Sequence, residues 1–394
     1  MIPYGRQNIT QEDIDEVITA LKSDFLTQGP AIKAFEDDFA KYIGAEYAVA
    51  VSNGTAALHL SAMALNLSPG DKVITTPITF AASANCVRYC GAEVVFADID
   101  PQTYLLDIIK VEELLRSSPK GTYKGIIPVE FAGRSVDLQA FKRLADEFDC
   151  WVIEDACHAP GAFFTDANGV QQNSGNGVFA DLAIFSFHPV KHIATGEGGM
   201  ITTNNEQLYN KLLMLRTHGI TRNSDLFLNG PTFASGVESD SYPAWYMEMQ
   251  TLGFNYRITD FQSALGSSQL KRADSGLIRR RQIASRYNDF FSDKTFIKGH
   301  SGHVEGHAYH LYVIETQDRL GLYNYLREKG IFAQVHYIPC HLMPYYRELG
   351  WKEGDFPFAE QYYKHCLSLP MYPTLSDKEQ EFVITAIRDF YSKL

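Results

Sequence analysis

Leu182-Ala183-Ile184-Phe185-Ser186-Phe187-His188-Pro189-Val190-Lys191-His192-Ile193-Ala194-Thr195-Gly196-Glu197-Gly198-Gly199-Met200-Ile201-Thr202-Thr203 is the stretch around which the chain is organised. The apolar run Leu182–Phe185 reads as a buried strand ending at Ser186, and Met200–Thr203 as a second strand. Between them Pro189 interrupts the pattern, and Gly196, Gly198 and Gly199 supply a turn around one lysine. A lysine held between two strand ends is partly withdrawn from water. That disfavours its ammonium form and frees a nucleophilic amine, which can form a Schiff base with a carbonyl. In isolation a solvated loop lysine looks the same, so the reading depends on partners elsewhere.

Upstream, strands and helices alternate. Strands are expected at 46–51, 72–76, 93–99, 125–131 and 151–154, with helices at 54–65, 80–89, 111–116 and 137–148. Two amphipathic helices precede them, one after the cap-like Thr10-Gln11-Glu12-Asp13 and one from Pro30 to Ile43. Such alternation implies a mostly parallel sheet covered by helices, with ligands beyond the carboxyl ends of its strands. The segment 165–177 reads as a polar hairpin or loop, and 223–250 as a long aromatic loop with a functional or interface role. Helices are expected at 259–272 and 277–291. The remainder, with strands at 310–316 and 332–337 and helices at 319–329 and 377–394, reads as a small α+β unit. The expected division is 1–272 for an N-terminal arm and large domain, and 273–394 for a small C-terminal domain.

At 394 residues the chain is too long for one ordinary core. Its net charge of −12 argues against a nucleic-acid or anionic-membrane surface. No apolar run reaches membrane-spanning length, and the first residues do not read as a signal peptide. The six cysteines form no Cys-x-x-Cys pair, as expected of reduced thiols in a cytoplasmic protein.

Four further motifs supply the partners. Val51-Ser52-Asn53-Gly54-Thr55-Ala56-Ala57 places small residues at a strand-to-helix junction, an anion site at a helix N-terminus. There is no Walker-type loop and no complete G-x-G-x-x-G. Val152-Ile153-Glu154-Asp155-Ala156-Cys157-His158 puts carboxylates at a strand end, where a buried acid needs a cationic partner. Thr75-Thr76-Pro77-Ile78-Thr79-Phe80 offers a ring to stack on an aromatic cofactor. Gly253-Phe254-Asn255-Tyr256-Arg257 offers phosphate donors. His300, His303, His307 and His310 lack a helical metal-ligand spacing and read as solvated loop histidines, so no metal is expected.

In this order around Lys191, the motifs resemble the DegT/StrS-type sugar aminotransferases, which are pyridoxal-phosphate (PLP) enzymes of the aspartate-aminotransferase fold (fold type I). The resemblance implies that Lys191 carries the cofactor and shuttles protons. It implies that Asp155 pairs with the pyridine nitrogen and that Phe80 stacks on the ring beside His158. Gly54, Thr55, Ala56 and Ser186 would hold the phosphate, and Asn255 would contribute from a neighbouring subunit of a homodimer. Val129–Asp137 and Ala333–Tyr337 are most similar to the pseudaminic-acid branch. That branch moves an amino group from L-glutamate to a UDP-linked 4-keto-6-deoxy-N-acetylhexosamine, giving UDP-4-amino-4,6-dideoxy-N-acetyl-β-L-altrosamine and 2-oxoglutarate. Glu130 stands where Asp is common in that branch, which leaves another nucleotide-linked 4-keto or 3-keto deoxysugar as the alternative. Gln28, His336 and Tyr337 are the candidate substrate residues. A sugar dehydratase of the same family would carry histidine in place of Lys191. An amino-acid aminotransferase would need an arginine clamp, and neither Arg347 nor Arg388 sits in a motif resembling one.

Overall fold

The computed structural model describes residues 1–299 and 304–392, so His300 and His303 lie outside the described residues. The alternating stretch builds one seven-stranded sheet. Its order is Tyr47–Val51, Gly199–Thr203, Leu182–Ser186, Trp151–Asp155, Gly125–Ile127, Lys72–Thr75 and Glu93–Phe96. Gly199–Thr203 runs antiparallel to both neighbours, and every other pairing is parallel.

The period-two alternation of these strands sorts their side chains into two cores. Ala48, Ala50, Phe185 and Met200 pack with Ile32, Phe35 and Phe39 of helix Pro30–Ile43 and with Leu270 of helix Asp260–Leu270. Val49, Val51, Ile184 and Ile201 pack with Leu58 and Leu60 of helix Gly54–Ala64 and with Leu212 and Leu215 of helix Glu206–Arg216. Both faces are therefore covered, as a mostly parallel sheet requires. The carboxyl ends of Trp151–Asp155 and Leu182–Ser186 lie side by side, because Asp155 pairs with Ile184.

A second sheet joins Ile297–Gly299, Tyr312–Thr316 and Cys366–Leu369, all antiparallel. Tyr312 and Ile314 pack there with Tyr287 of helix Ala273–Phe291, Leu322 of helix Arg319–Glu328 and Ile384 of helix Asp377–Tyr391. Leu311 and Val313 point instead into the core of the larger sheet. The chain's first strand, Ile2–Pro3, pairs in parallel with Ile331–Phe332.

Three expectations are corrected. The strand expected at 332–337 is only Ile331–Phe332, because the segment then leaves Ile2–Pro3 and makes a single antiparallel bridge from Gln334 to Ser368 instead of a ladder. The 223–250 segment is ordered rather than structureless. Its neck is the pair Ile220–Thr221 and Glu248–Met249, and it contains a short helix, Pro231–Ser235. Inside it, the Glu248 carboxylate accepts hydrogen bonds from Leu228 N (2.7 Å), Asn229 N (2.9 Å) and Tyr246 OH (2.9 Å). His307 and His310 are buried rather than solvated: His307 stacks on Tyr309 and His310 on His158. Among the described residues no group of three His, Cys, Asp or Glu side chains could hold a metal ion, and no helix is long and apolar enough to cross a membrane.

The N-terminal helix Gln11–Leu21 is fastened by one buried carboxylate. Asp13 accepts from Thr10 N (2.9 Å), Ser268 Oγ (2.7 Å) and Gln269 Nε2 (2.8 Å), and pairs with Arg272. Removing it leaves the buried Ser268 and Gln269 donors and the partly exposed Arg272 without their acceptor, so Asp13→Ala should cost about 3 kcal/mol, read as a lower urea midpoint. The exposed Asp15→Ala should cost less than about 0.5 kcal/mol in the same experiment.

Candidate active site

Two glycines decide the geometry at the sheet's carboxyl edge. A Cβ on Gly199 would lie 2.6 Å from the Asn53 carbonyl group, and one on Gly54 would lie 3.0 Å from Ser186 Cβ and 3.3 Å from Ser186 Oγ. Helix Gly54–Ala64 therefore begins directly against Ser186. Asn53 caps that helix, its Oδ1 accepting from Ala56 N at 2.8 Å. The Ala56 amide is thus engaged by the cap, and the Gly54 and Thr55 amides stand with the Thr55 and Ser186 hydroxyls at the positive end of the helix.

Asp155 sits at the end of its strand with its carboxylate held from both sides. Ser83 Oγ donates to Oδ2 at 2.6 Å and Cys157 N donates to Oδ1 at 3.2 Å. Ser83 in turn shares a hydrogen bond with Thr79 Oγ1 at 2.8 Å. Lys191 lies in the turn after Ser186, its backbone N–H bonded to His188 O at 2.9 Å. Burial lowers the pKa of its amine, while the nearby Cys157 and Asp155 oppose that shift and Arg280 reinforces it. The turn thus sets an amine whose ammonium form is disfavoured by burial near an anchored carboxylate.

His158 is buried with its proton placed by its partners. Nδ1 accepts from Ala132 N at 3.2 Å, so Nε2 carries the hydrogen and faces Tyr337 OH at 3.3 Å. Burial holds its pKa well below the usual range, with Lys191 adding to the effect, so it stays neutral. His310 stacks on it at 4.3 Å, and His192 lies 5.7 Å beyond, its Nε2 donating to Ala308 O at 3.0 Å. Phe80 is 63% exposed and stands 6.3 Å from the Tyr337 ring. His336 is tied by Nδ1 to Ser368 Oγ at 2.8 Å, and burial depresses its pKa to about 3.

Gly54, Thr55, Ala56, Ser186, Asp155, His158, Lys191, Phe80, His336 and Tyr337 thus belong to one neighbourhood. Gln28 and Asn255 stand apart from it within the chain. Gln28 lines a separate groove with Lys33, Tyr209, Arg216 and Arg257, and the Asn255 side chain is exposed. Sequence reasoning passed over Ser83, Thr79 and the His192–His310 pair. Ser83 was one turn beyond Phe80 and carried a readable signal, whereas the histidines were separated by over a hundred residues. Glu130 and Glu154, each singled out in the sequence but not as a pair, are fully buried beside each other; burial drives the carboxyl pKa values of both upward.

The arrangement is a donor cradle at a helix N-terminus, an anchored carboxylate at the neighbouring strand end and an amine between them. That set fits PLP: the cradle would take its phosphate, Asp155 would face its ring nitrogen and Lys191 would supply the amine for its aldehyde. Comparison with known proteins agrees. The family model for DegT/DnrJ/EryC1/StrS aminotransferases matches residues 7–388. The chain is 38% identical to the spore coat polysaccharide biosynthesis protein SpsC of Bacillus subtilis, over 98% of this chain and 96% of that one. It is 36% identical to the UDP-4-amino-4,6-dideoxy-N-acetyl-beta-L-altrosamine transaminase of Campylobacter jejuni, over 89% of this chain and 87% of that one. Among solved structures it is similar to Helicobacter pylori PseC, an aminotransferase of pseudaminic acid biosynthesis, with a TM-score of 0.87, 27% identity and complete coverage of both chains. It is also similar to Spr1654 of Streptococcus pneumoniae in its PMP form, with a TM-score of 0.88, 28% identity and the same coverage. With its fold, its lysine turn and a family match over nearly its whole length, this chain belongs to the DegT/DnrJ/EryC1/StrS family of PLP-dependent aminotransferases.

Proposed function

We propose that this enzyme transfers an amino group from L-glutamate to the C-4 keto group of a UDP-linked 4-keto-6-deoxy-N-acetylhexosamine, giving UDP-4-amino-4,6-dideoxy-N-acetyl-β-L-altrosamine. The observation that carries the reaction type is the buried Lys191 amine, set close enough to Asp155 to feel its charge. The similarity to the Campylobacter jejuni transaminase supports the sugar.

In this reading Gly54, Thr55, Ala56 and Ser186 grip the phosphate, Asp155 holds the ring nitrogen protonated, and Phe80 covers one ring face. His158 braces the other side, its orientation fixed by Ala132 N and Tyr337. Bound PLP supplies the electron sink for the pair left behind when the donor's α-proton departs. Lys191 Nζ takes that proton as a general base and returns it as a general acid. When the keto sugar replaces 2-oxoglutarate, the same nitrogen delivers a proton to sugar C-4. A depressed pKa suits both roles, because the amine is basic enough to accept and acidic enough to release. His336 and Tyr337 border the sugar.

The same reading makes the enzyme a homodimer with shared sites, in which Asn255 and Gln28 serve the partner's pocket. Support comes from apolar side chains exposed on the N-terminal helix and the segment after it, Ile14, Ile18, Leu21, Phe25 and Leu26, and from Leu228, Trp245 and Leu252 in the 220–252 excursion. The chain divides into a large unit, 1–272, and a small unit, 273–394. The six free cysteines suit a cytoplasmic setting.

Lys191→Ala should lower turnover by about a thousandfold or more and abolish the visible absorbance of the lysine-bound cofactor. Retained turnover would overturn the assigned role. Mixing subunits of Lys191→Ala and Asn255→Ala should restore activity neither variant shows alone, because one site of each mixed dimer is intact. A panel of UDP-linked keto sugars with glutamate, read by mass spectrometry and product NMR, tests the substrate. Amination of none of them would overturn the proposed function.

A further inference from the structure

The first six residues reach the site by a route the sequence does not announce. Ile2–Pro3 pairs with Ile331–Phe332, Ile2 N donates to Gly330 O at 2.8 Å, and Met371 N donates to Tyr4 O at 2.9 Å. The Arg6 guanidinium lies 5.7 Å from the centre of the Tyr372 ring. These contacts fasten the segment to the small unit. Its other side meets the large one: a Cβ on Gly5 would lie 3.3 Å from Val190 Cβ, directly before Lys191. The segment therefore straps the lysine turn to the wall that carries His336 and Tyr337.

Tyr4 is the side chain this strap presents. Its ring lies 5.0 Å from the His336 ring, tilted by 56°. Three polar aromatic groups thus share that wall, and two are already engaged. His336 Nδ1 is bonded to Ser368 Oγ, and Tyr337 OH to His158 Nε2. Among the described residues the Tyr4 hydroxyl has no hydrogen-bond partner within the chain, and the residue is half-buried. A ring held by backbone pairing and by a neighbouring aromatic, with its hydroxyl uncommitted, is a preorganised recognition group that binds with little ordering cost.

We propose that Tyr4 is a specificity-determining residue that hydrogen-bonds the sugar, through a hydroxyl or the N-acetyl group of the hexose. This rests on the reading of the enzyme as a sugar aminotransferase. The phenol suits the sugar better than the amino donor. Partial burial raises its pKa, so it remains a neutral donor across the working range. A neutral donor matches a hydroxyl or amide, whereas the donor's carboxylates call for guanidinium or ammonium partners.

The two half-reactions, followed by cofactor absorbance, separate this role from a merely structural strap. Tyr4→Phe keeps the ring on His336 and removes only the hydroxyl. It should raise KM for the keto sugar about fivefold, the worth of one neutral hydrogen bond, with kcat nearly unaltered and a smaller effect on the glutamate half-reaction. The dissociation constant of the aminated sugar nucleotide, measured by titration calorimetry, should rise by the same factor. Tyr4→Ala should impair both half-reactions and lower the melting temperature, because it also loosens the strap. An unchanged sugar KM in Tyr4→Phe, or equal effects on the two half-reactions, would overturn the proposal. The wild-type enzyme run alongside separates the two failures: if no keto sugar restores its PLP form, the sugar reading falls and this inference falls with it.

Discussion

Everything at this site depends on how closely two backbones approach. Gly199 pairs with Val51 on one side and Ser186 on the other, and there is no room for a side chain between it and Asn53. That contact brings the N-terminus of one helix against the end of a strand that is not its sheet neighbour. The anion cradle is therefore made by main-chain geometry, and only the Ser186 and Thr55 hydroxyls are added by side chains. The antiparallel strand between them makes this possible, because the turn feeding it must reverse direction at the sheet's edge. A reversal at that edge is also what holds Lys191 there.

Around the lysine, burial rather than ion pairing sets protonation. His158, His192 and His310 all have pKa values driven well below the usual range by desolvation, with Lys191 and Arg280 among the charges that reinforce it. Arg280 itself is fully buried, and one of its nitrogens donates to three carbonyls, Tyr309 O, His310 O and Met371 O. These three imidazoles, grouped through His310, therefore add no positive charge of their own as pH falls through the ordinary histidine range. Asp155 keeps its place through neutral donors, Ser83 and the Cys157 amide, and so stays available to a cationic ring.

Much of the sheet and the lysine turn were legible in the sequence, for local reasons. Helix Pro30–Ile43 began at its proline, and Ser186 closed an unbroken apolar run. Strand ends at 76, 99 and 131 were drawn too long, because apolar residues continue past the last ladder bond into the loops that build the pocket. The wall of the site was harder to read. His310 looked like a loop histidine beside glycines, and its burial against His158 is a contact across 152 positions, from 158 to 310. Tyr4 carried no signal at all, since a two-residue strand has no periodicity to detect.

The excursion between Thr221 and Glu248 is fixed from the inside by a single acid. Hydrogen bonds from Leu228 N, Asn229 N, Tyr246 and Gln250 outweigh the penalty of burial and bring the Glu248 carboxyl down to about 2. The backbone of this segment is thus organised around one inward group, with Phe227, Tyr242 and Tyr246 packed together beside it, while Leu228, Phe233 and Trp245 are exposed. Scaffold and surface are thus separable: outward residues can change while the inward carboxylate keeps the backbone around it in place. In such an arrangement new recognition evolves on the excursion while the reaction itself stays the same.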